Sequence, residues 1–381
     1  MAKQQPTYLE PAPPDAPRNP ALEKVILDSP DDKAGYLVYA DWLTQQGDPR
    51  GELIVVQSEG KADREAELLE KHSFMRGIGR TERVQDAGPG IAKATWRWGF
   101  WQKLHIFNII DWMDSKFPTK EVLERLFTNP AALALQELEV GVIRWEYQAS
   151  DVKLLIEEAA KAPFSKTLRA LRFGKVDGID IDCGHHPLGD LGGITKAAFP
   201  ELRELTMWGC EIELGELDLP KLHKLAVRTC GLSQANVEAI ANGSLPEVEY
   251  LELWFGSEDY GNDSTLESIE PILQSTKWPK LAHLGLMNCP FTDGICERLG
   301  TSAVVRQLSS LDLSMGTMTD AGARALLQNR AALAHLKTID ISQSYVTEGM
   351  VAELGAIGAT IVANDMREDE DPDYRYVVVA E

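Results

Sequence analysis

Apolar residues recur along the chain in the short pattern L-x-x-L-x-L, followed by a bend and a longer apolar stretch. One copy begins with Leu308, Leu311 and Leu313, and Thr319 then precedes apolar residues at helical spacing. Side chains of a strand alternate between its two faces, so this copy predicts a strand, a bend and a helix that bury one side. Further copies begin at Trp101, Leu135, Leu168, Leu202, Leu222, Val248, Leu281 and Leu336. Such units bury their apolar side only against neighbouring copies, so the repetition predicts a stack of parallel strands flanked by helices.

Three further columns of residues repeat at matching places after the strands. Cysteines occupy the bend at Cys210, Cys230 and Cys289, where a side chain must satisfy backbone groups. Apolar residues follow at Ile212, Leu232, Phe291, Met318 and Val346, and helix-capping residues come next at Ser233, Thr292, Thr319 and Thr347. With its long helical second halves, the stretch from about Trp101 to Ala363 resembles the ribonuclease-inhibitor-like branch of the leucine-rich repeats. The resemblance implies an α/β fold, a horseshoe-shaped solenoid with parallel strands on the concave face and helices outside.

The N-terminal part of the chain is predicted to be helical after a short leader. Residues 1–20 contain six prolines, which predicts a disordered, extended segment. Helices are predicted over 20–28 with Asn19 as cap, over 32–46 with Asp31 or Asp32 as cap, over 50–59, and over 61–78.

Two sequence pieces in this helical region resemble a bacterial family. They are Tyr39-Ala40-Asp41-Trp42-Leu43 and Gly47-Asp48-Pro49-Arg50-Gly51-Glu52, followed by Gln57. Together they resemble the repeat-companion domain, a short helical module that precedes leucine-rich repeats in many bacterial proteins. The resemblance covers about residues 21–60, and Trp96–Asn108 resembles the transition into the first repeat strand. The resemblance implies architecture, since the family carries no agreed catalytic activity. We expect the module to cover the open N-terminal end of the repeats, which otherwise exposes apolar surface and a strand edge.

Domain boundaries follow from these changes of pattern. They are predicted at 1–20 for the leader, 21–95 for the helical cap, 96–363 for the repeats and 364–381 for an acidic tail. In the cap, Asp41, Asp48, Arg50 and Glu52 are candidates for a metal or phosphate site. The favoured interpretation is structural: Asp48 caps the third helix, and Arg50 pairs with Asp41 or Glu52.

Composition narrows the possible partners. The net charge of −21 and the pI near 4.8 argue against nucleic acid and anionic membranes, because both require a basic face. No apolar run is long enough to span a bilayer, and the N-terminus lacks a signal-peptide core, which predicts a cytoplasmic protein. The five cysteines include no C-x-x-C pair and are predicted to be reduced, buried thiols.

Motifs for catalysis are not found in the sequence. It contains no P-loop, no G-x-G-x-x-G after a strand, no H-E-x-x-H and no G-x-S-x-G. The densest group of possible ligands comprises Asp180, Asp182, Cys183, His185 and His186, which could bind a divalent metal. The favoured alternative is a water-facing insert, because no second ligand cluster has zinc-finger spacing. We therefore predict no catalytic residue, no metal and no cofactor.

The exposed strand face is the main candidate for binding. Alternation places the third, fifth and seventh residues of each repeat strand on the concave side. The seventh places hold Trp208, Arg228, Trp254 and Met287 on four consecutive strands, with Arg172, Glu252 and Tyr250 at neighbouring places. Trp and Arg dominate binding hot spots, so this set predicts a protein or peptide partner. Two alternatives stay open: both tryptophans clamp Arg228 and only stiffen the sheet, or the faces are assigned one residue off, which turns the set inward.

The C-terminal tail carries a second candidate. An acidic linker, 366–373, leads to a β-prone terminus that contains Tyr374, Tyr376, Val377, Val378 and Val379. This segment is predicted either to add a strand to the last repeat or to dock on another protein by β-augmentation. The terminus also resembles those of bacterial leucine-rich-repeat proteins, some of which accompany peptide-modifying enzymes, and this implies a substrate or handle.

The sequence thus predicts a non-catalytic protein-binding scaffold. The alternative is a carrier whose tail, Tyr374 to Glu381, is docked or modified by a partner enzyme. A third hypothesis, from another class, is a metal-dependent enzyme centred on His185 and His186.

Overall fold

The computed structural model describes residues 16–72, 92–106, 119–141, 152–174, 183–369, 371 and 374–380. Most of the predicted leader and the candidate ligands Asp180 and Asp182 lie outside the described residues. The described chain forms two compact units: one holds the residues up to 141, with 152–174 and 196–202, and the other holds 183–195 and the residues from 203 onward. Within these ranges, every helix is too short or too polar to cross a lipid bilayer.

The first unit combines six helices with four strands among its described residues. The helices are α1 (Pro20–Asp28), α2 (Lys33–Gln45), α3 (Arg50–Ser58), α4 (Ala62–Lys71), α5 (Thr119–Phe127) and α6 (Val152–Lys161). The strands are β1 (Ala92–Arg97), β2 (Phe100–Ile106), β3 (Glu137–Val140) and β4 (Ala170–Phe173). β1 is antiparallel to β2, whereas β2, β3 and β4 are parallel with Leu104, Leu138 and Leu171 aligned. The strands predicted at Trp101, Leu135 and Leu168 are therefore confirmed.

The capping residues of the first helices were predicted correctly. The Asn19 side chain accepts hydrogen bonds from the first turn of α1, and Asp32, rather than Asp31, caps α2. Asp31 instead binds Arg97 and Arg169, and its hydrogen bond with Arg169 lowers the pKa of Asp31 to about 2. The helical core of this unit includes Tyr39, which is buried beside Phe100.

The charged pair of the helical module is buried and structural. Arg50 Nη2 lies 2.7 Å from Asp48 Oδ2, and Asp48 Oδ1 also accepts the Arg50 backbone N–H at the start of α3. The expectation that Arg50 pairs with Asp41 or Glu52 is wrong, because Arg50 donates to Asp48 and to the Pro17 carbonyl, and Glu52 binds Arg64. A buried carboxylate that neutralises a neighbouring guanidinium fixes the turn before α3.

The second unit is built on a parallel sheet. Its described strands are β5 (Pro187–Asp190), β6 (Glu204–Trp208), β7 (Cys210–Glu213), β8 (Lys224–Arg228), β9 (Tyr250–Trp254), β10 (His283–Met287), β11 (Ser310–Asp312), β12 (Thr338–Asp340) and β13 (Thr360–Val362). Seven of them pair in the order β6-β8-β9-β10-β11-β12-β13, and β5 pairs with β7 separately. Between them lie α7 (Gln234–Asn242), α8 (Glu270–Leu273), α9 (Thr292–Arg298), α10 (Asp320–Gln328), α11 (Arg330–Leu333) and α12 (Glu348–Leu354). This is a mixed α/β fold with a mostly parallel sheet.

The alignment of the strands confirms the predicted alternation. The fourth residues of the pattern form one row of paired positions, Leu205, Leu225, Leu251, Leu284, Leu311 and Ile339. All six side chains are buried. A one-residue slip would expose this whole row, so burial of the row fixes which face of the sheet is polar. The alternative in which the faces are assigned one residue off is therefore wrong.

Helix caps link successive strand–helix units. The side chains of Ser233, Thr319 and Thr347 accept hydrogen bonds from the first turns of α7, α10 and α12, as predicted. Thr292 is instead the first residue of α9, and its hydroxyl donates to the Cys289 carbonyl. Asp293 binds Thr319 through two hydrogen bonds, so the caps also hold neighbouring units in place.

The bend after four strands adopts a left-handed backbone. Asn288, Met315, Gln343 and Asp365 follow β10, β11, β12 and β13 with φ between 50° and 68°. Such angles are uncommon for residues other than glycine, although Asn and Asp tolerate them best. The leucine spacing does not predict this column. The leucine pattern also does not predict β5, β7 and β13, because their sequences carry no L-x-x-L-x-L.

Candidate functional site

The polar face of the second unit's sheet is organised around Glu252 on β9. We number positions from the first residue of each L-x-x-L-x-L copy. The side chains at the third, fifth and seventh positions of the copies that contain β6, β8, β9, β10 and β11 are called the strand face. Glu252 is only 3% exposed, and Arg228 donates to it from Nε at 2.7 Å and from Nη2 at 3.2 Å. The Tyr250 hydroxyl and the Trp254 indole N–H donate to the same carboxylate, at 2.5 Å and 2.8 Å. Four predicted residues therefore form one network.

The charge of Glu252 is stabilised by these donors. Burial by itself raises the pKa of Glu252, but the hydrogen bonds from Arg228 and Tyr250 outweigh burial, so the pKa lies below its ordinary value. The pKa of Arg228 is raised because Glu252 accepts its hydrogen bonds. The network consequently holds the half-buried Trp254 and Arg228 side chains in fixed positions at the surface.

A second row of contacts joins the side chains at the third position of the repeat pattern on five neighbouring strands. Lys224 lies 5.3 Å from the Tyr250 ring centre, and that ring stacks on His283 at 4.2 Å. His283 Nδ1 lies 2.8 Å from the Ser310 hydroxyl, and Glu204 pairs with Lys224 at 3.3 Å. Each side chain of the row thus contacts one from the next strand, as expected for side chains that face each other across neighbouring strands.

Trp208 does not fit the predicted exposed set. Its side chain is 9% exposed and stacks on the buried ring of His186, with ring centres 6.2 Å apart. The expectation of a wetted indole is therefore wrong for Trp208, because the segment around β5 brings His186 against it. Arg228 forms its cation–π contact with Trp254, at 5.8 Å from the ring centre. The alternative in which Trp208 and Trp254 clamp Arg228 from both sides is therefore wrong.

The other predicted residues are divided between the units. Met287 is half-buried at the end of β10, in line with Trp254 on the strand face. Arg172 belongs to β4 of the first unit, where its guanidinium lies 3.0 Å from Glu137. The described structure therefore assembles Tyr250, Glu252, Trp254, Arg228 and Met287, and leaves Arg172 in a separate ion pair.

Two carboxylates lie on the continuation of this face. Asp312 on β11 pairs in register with Asp340 on β12, and each accepts a backbone N–H, from Ser314 and Ser342. In the described part of the chain, neither enters an ion pair with a Lys, Arg or His side chain. Burial raises the pKa of Asp312 to about 6, and the charges of Asp340 and Glu252 add to that shift.

Asp312→Asn is expected to stabilise the protein at neutral pH. Because the folded-state pKa of about 6 exceeds the ordinary value of 3.8, ionising Asp312 costs stability as the pH rises through 6. The asparagine removes this cost, so the free energy of unfolding at pH 8 should rise by about 3 kcal/mol. Urea unfolding at pH 4 and pH 8 measures the effect, which should vanish at pH 4. Asp340→Asn is the matched control and should have a smaller effect; equal curves for Asp312→Asn and wild type at pH 8 would contradict the prediction.

The predicted metal ligands are not brought together among the described residues. Cys183 is buried, and the neighbouring Cys230 thiol and burial raise the pKa of Cys183. The Cys210 thiol donates to the Gly184 carbonyl, and burial raises its pKa to about 12. Within the described ranges, no three His, Cys, Asp or Glu side chains are arranged to hold a metal ion. These thiols pack as small apolar groups.

The C-terminal tail is bound to the loops that follow β9 to β12. Val378 N–H donates to the Met315 carbonyl at 3.0 Å, and the Asn288 amide both donates to and accepts from the Val379 backbone, at 2.7 and 2.8 Å. The Tyr345 hydroxyl accepts from Tyr376 N–H at 3.1 Å. The tail therefore crosses the carboxyl ends of the strands, and the prediction of an added strand is wrong. We call the surface formed by Ser257, Asn288, Met315, Tyr345 and Arg367 the tail groove.

Side chains of the tail alternate between the groove and water. Val377 is 2% exposed, whereas Tyr376 is 67% exposed and Tyr374 is 76% exposed. Val378 also points outward, and Val379 is half-buried. The acidic linker is itself anchored, because Arg367 donates to the Tyr376 carbonyl at 2.6 Å and stacks on the Tyr345 ring. Sequence reasoning missed this groove, since Asn288 and Val379 are 91 residues apart.

Comparison with known proteins adds fold information alone. No family model matches the chain, and no curated protein matches it. A crystal structure of a Bacteroides fragilis protein, determined by structural genomics, is similar over 84% of this chain and 87% of its own, with a TM-score of 0.60 and 22% identity. At that identity the likeness concerns the arrangement of helices and strands and carries no function.

Proposed function

We propose that this chain is a non-catalytic protein-binding scaffold of the bacterial cytosol, folded as a leucine-rich-repeat solenoid with an N-terminal helical cap. The row of buried leucines, the repeated helix caps and the left-handed bends after successive strands support the repeat assignment. Proteins of this architecture present a long, ordered surface of strand side chains. The strand face is the surface that we assign to partner binding.

The Glu252 network is the observation that carries this proposal. It binds Trp254 and Arg228 at the surface through three hydrogen bonds to one buried carboxylate, which accepts a fourth from Tyr250. Trp, Tyr and Arg dominate binding hot spots, and side chains that are already fixed lose little conformational entropy on binding. Met287 extends the apolar part of the same surface on the next strand.

The charge of the face indicates the chemistry of its partner. Asp312 and Asp340 lie beyond Met287 on the next two strands. A Lys or Arg side chain of a partner would neutralise both carboxylates while its neighbours pack on Trp254 and Met287. We therefore propose a partner with a basic residue beside an apolar one, and binding that strengthens as the pH rises past the Asp312 pKa of about 6.

Trp254→Ala is expected to weaken binding of that partner by about thirtyfold, the loss typical of a hot-spot aromatic residue. The full chain, tagged, is used to capture proteins from its source cell, in parallel with Trp254→Ala, Met287→Ala and a control. Val38→Ala is the control because Val38 is an exposed apolar residue of α2. The captured protein is then purified and titrated against all four chains by calorimetry.

The expected result is a protein retained by wild type and Val38→Ala and lost with both strand-face variants. Circular dichroism must show that the variants keep the wild-type fold. Equal affinity of Trp254→Ala and wild type in the titration would remove the strand face as the binding surface.

A second candidate function follows from the exposed tyrosines of the tail. The backbone of residues 376–380 is held, yet the Tyr374 and Tyr376 rings point into water. A partner enzyme that docks on or modifies the tail could reach both rings without unfolding the second unit. Intact-mass measurement on the protein from its native host tests this alternative.

A further inference from the structure

The groove that holds the tail recognises its backbone. The Asn288 amide makes two hydrogen bonds with Val379, the Met315 carbonyl accepts from Val378 N–H, and the Ser257 hydroxyl donates to the Ala380 carbonyl. None of these bonds involves a tail side chain. Any extended peptide can therefore supply the same donors and acceptors.

One side chain adds selectivity to this backbone recognition. Val377 is buried, whereas its neighbours Tyr376 and Val378 point outward. An extended segment turns alternate side chains to opposite sides, so a bound peptide would place one aliphatic side chain in the position of Val377. Of the flanking positions, 376 also places its ring 5.5 Å from the Arg367 guanidinium, whereas 378 would accept a range of residues.

The left-handed bends place the binding groups at the groove. Asn288 and Met315 occupy equivalent positions after β10 and β11, with φ of 51° and 68°. The backbone N–H of each is already used by the next strand, donating to Ser314 and Ser342. The Asn288 side chain and the Met315 carbonyl are thereby left for the segment that crosses the strand ends.

We propose that the tail groove is a binding site for an extended peptide segment of another protein, and that the chain's own tail is a displaceable occupant. The ligand carries a Val, Ile or Leu at the position of Val377. A tethered tail has an effective concentration on the order of millimolar, so it competes strongly with any free peptide. This site lies at the strand ends and does not depend on the strand face.

A labelled peptide with the sequence of residues 374–381 tests the proposal by fluorescence anisotropy. It is titrated against the full chain and against a tail-release variant, Val378→Pro with Val379→Pro, which lacks the two N–H donors bound by Met315 and Asn288. The release variant should bind the peptide about tenfold or more tighter than wild type does. Adding Asn288→Ala should weaken that binding about tenfold, and the control Asn364→Ala, at an exposed asparagine, should leave it within about twofold.

The proposal would be overturned by no gain in binding for the release variant, by no loss with Asn288→Ala, or by undiminished binding of a peptide with proline at the 379 position. Circular dichroism confirms that the release variant is folded. Val377→Ser, which loosens the tail without touching the groove, replaces that variant should it unfold. A wild-type protein that is dimeric through exchanged tails, by light scattering and cross-linking, would assign the groove to a second copy and overturn a separate peptide partner.

Discussion

Glu252→Ala is expected to lower the free energy of unfolding by about 3 kcal/mol, because one buried acceptor serves three donor side chains. Its removal leaves Arg228, Tyr250 and Trp254 without the carboxylate that binds them. Arg228 keeps part of its charge in water, which limits the loss. Urea unfolding at pH 7, followed by circular dichroism, measures the difference.

A matched control separates this network from surface charge in general. Glu249→Ala removes an exposed carboxylate one residue before β9, where it contacts His223, and should change stability by less than about 0.5 kcal/mol. The pH dependence gives a further check: the folded-state pKa of Glu252 is lowered, so its stabilisation is present above the ordinary value of 4.5 and is lost as the pH falls through the folded-state pKa. Similar stabilities for the two variants at pH 7 would show that the network contributes little.

His186→Phe is expected to reduce the acid sensitivity of the protein. Burial lowers the pKa of His186 from 6.5 to about 4, and its Nε2 has no hydrogen-bond partner among the described residues. The unfolded chain therefore binds a proton near pH 6.5, whereas the folded chain binds it only near pH 4. Between these values acidification favours unfolding by about 3 kcal/mol, and the phenylalanine variant should lack that contribution.

The quantity measured is the slope of the unfolding free energy against pH. The packing cost of the new ring does not depend on pH, so it shifts the whole curve and leaves the slope unchanged. Wild type and His186→Phe are compared at about pH 7.5, where both carry a neutral ring, and then in steps down to about pH 4. His186→Leu repeats the test with a smaller side chain. Parallel curves for wild type and both variants would mean that His186 is protonated in the folded state as readily as in the unfolded one.

The candidate site shows how far local pattern reasoning reaches. Alternation along β9 correctly places Tyr250, Glu252 and Trp254 on the face opposite the leucines. Alternation does not predict which residues of that face are exposed to water. Trp208 occupies a position equivalent to that of Trp254 but is covered by His186. Segments outside the repeat pattern decide which strands keep an exposed face. The way these segments pack on the strands cannot be predicted from the residues around them.

The sequence by itself determined the strands of the leucine pattern, the buried leucine row and five helix caps, because alternation, apolar burial and capping depend on residues a few positions apart. Only the tertiary structure decided that Glu252 binds Arg228, 24 residues earlier, and that Asn288 binds Val379, 91 residues later. Such partners meet because stacked strands and a returning tail bring distant backbone together. The tertiary arrangement decides which of these groups form hydrogen bonds, and neither the residue types nor their spacing in the sequence predicts that arrangement.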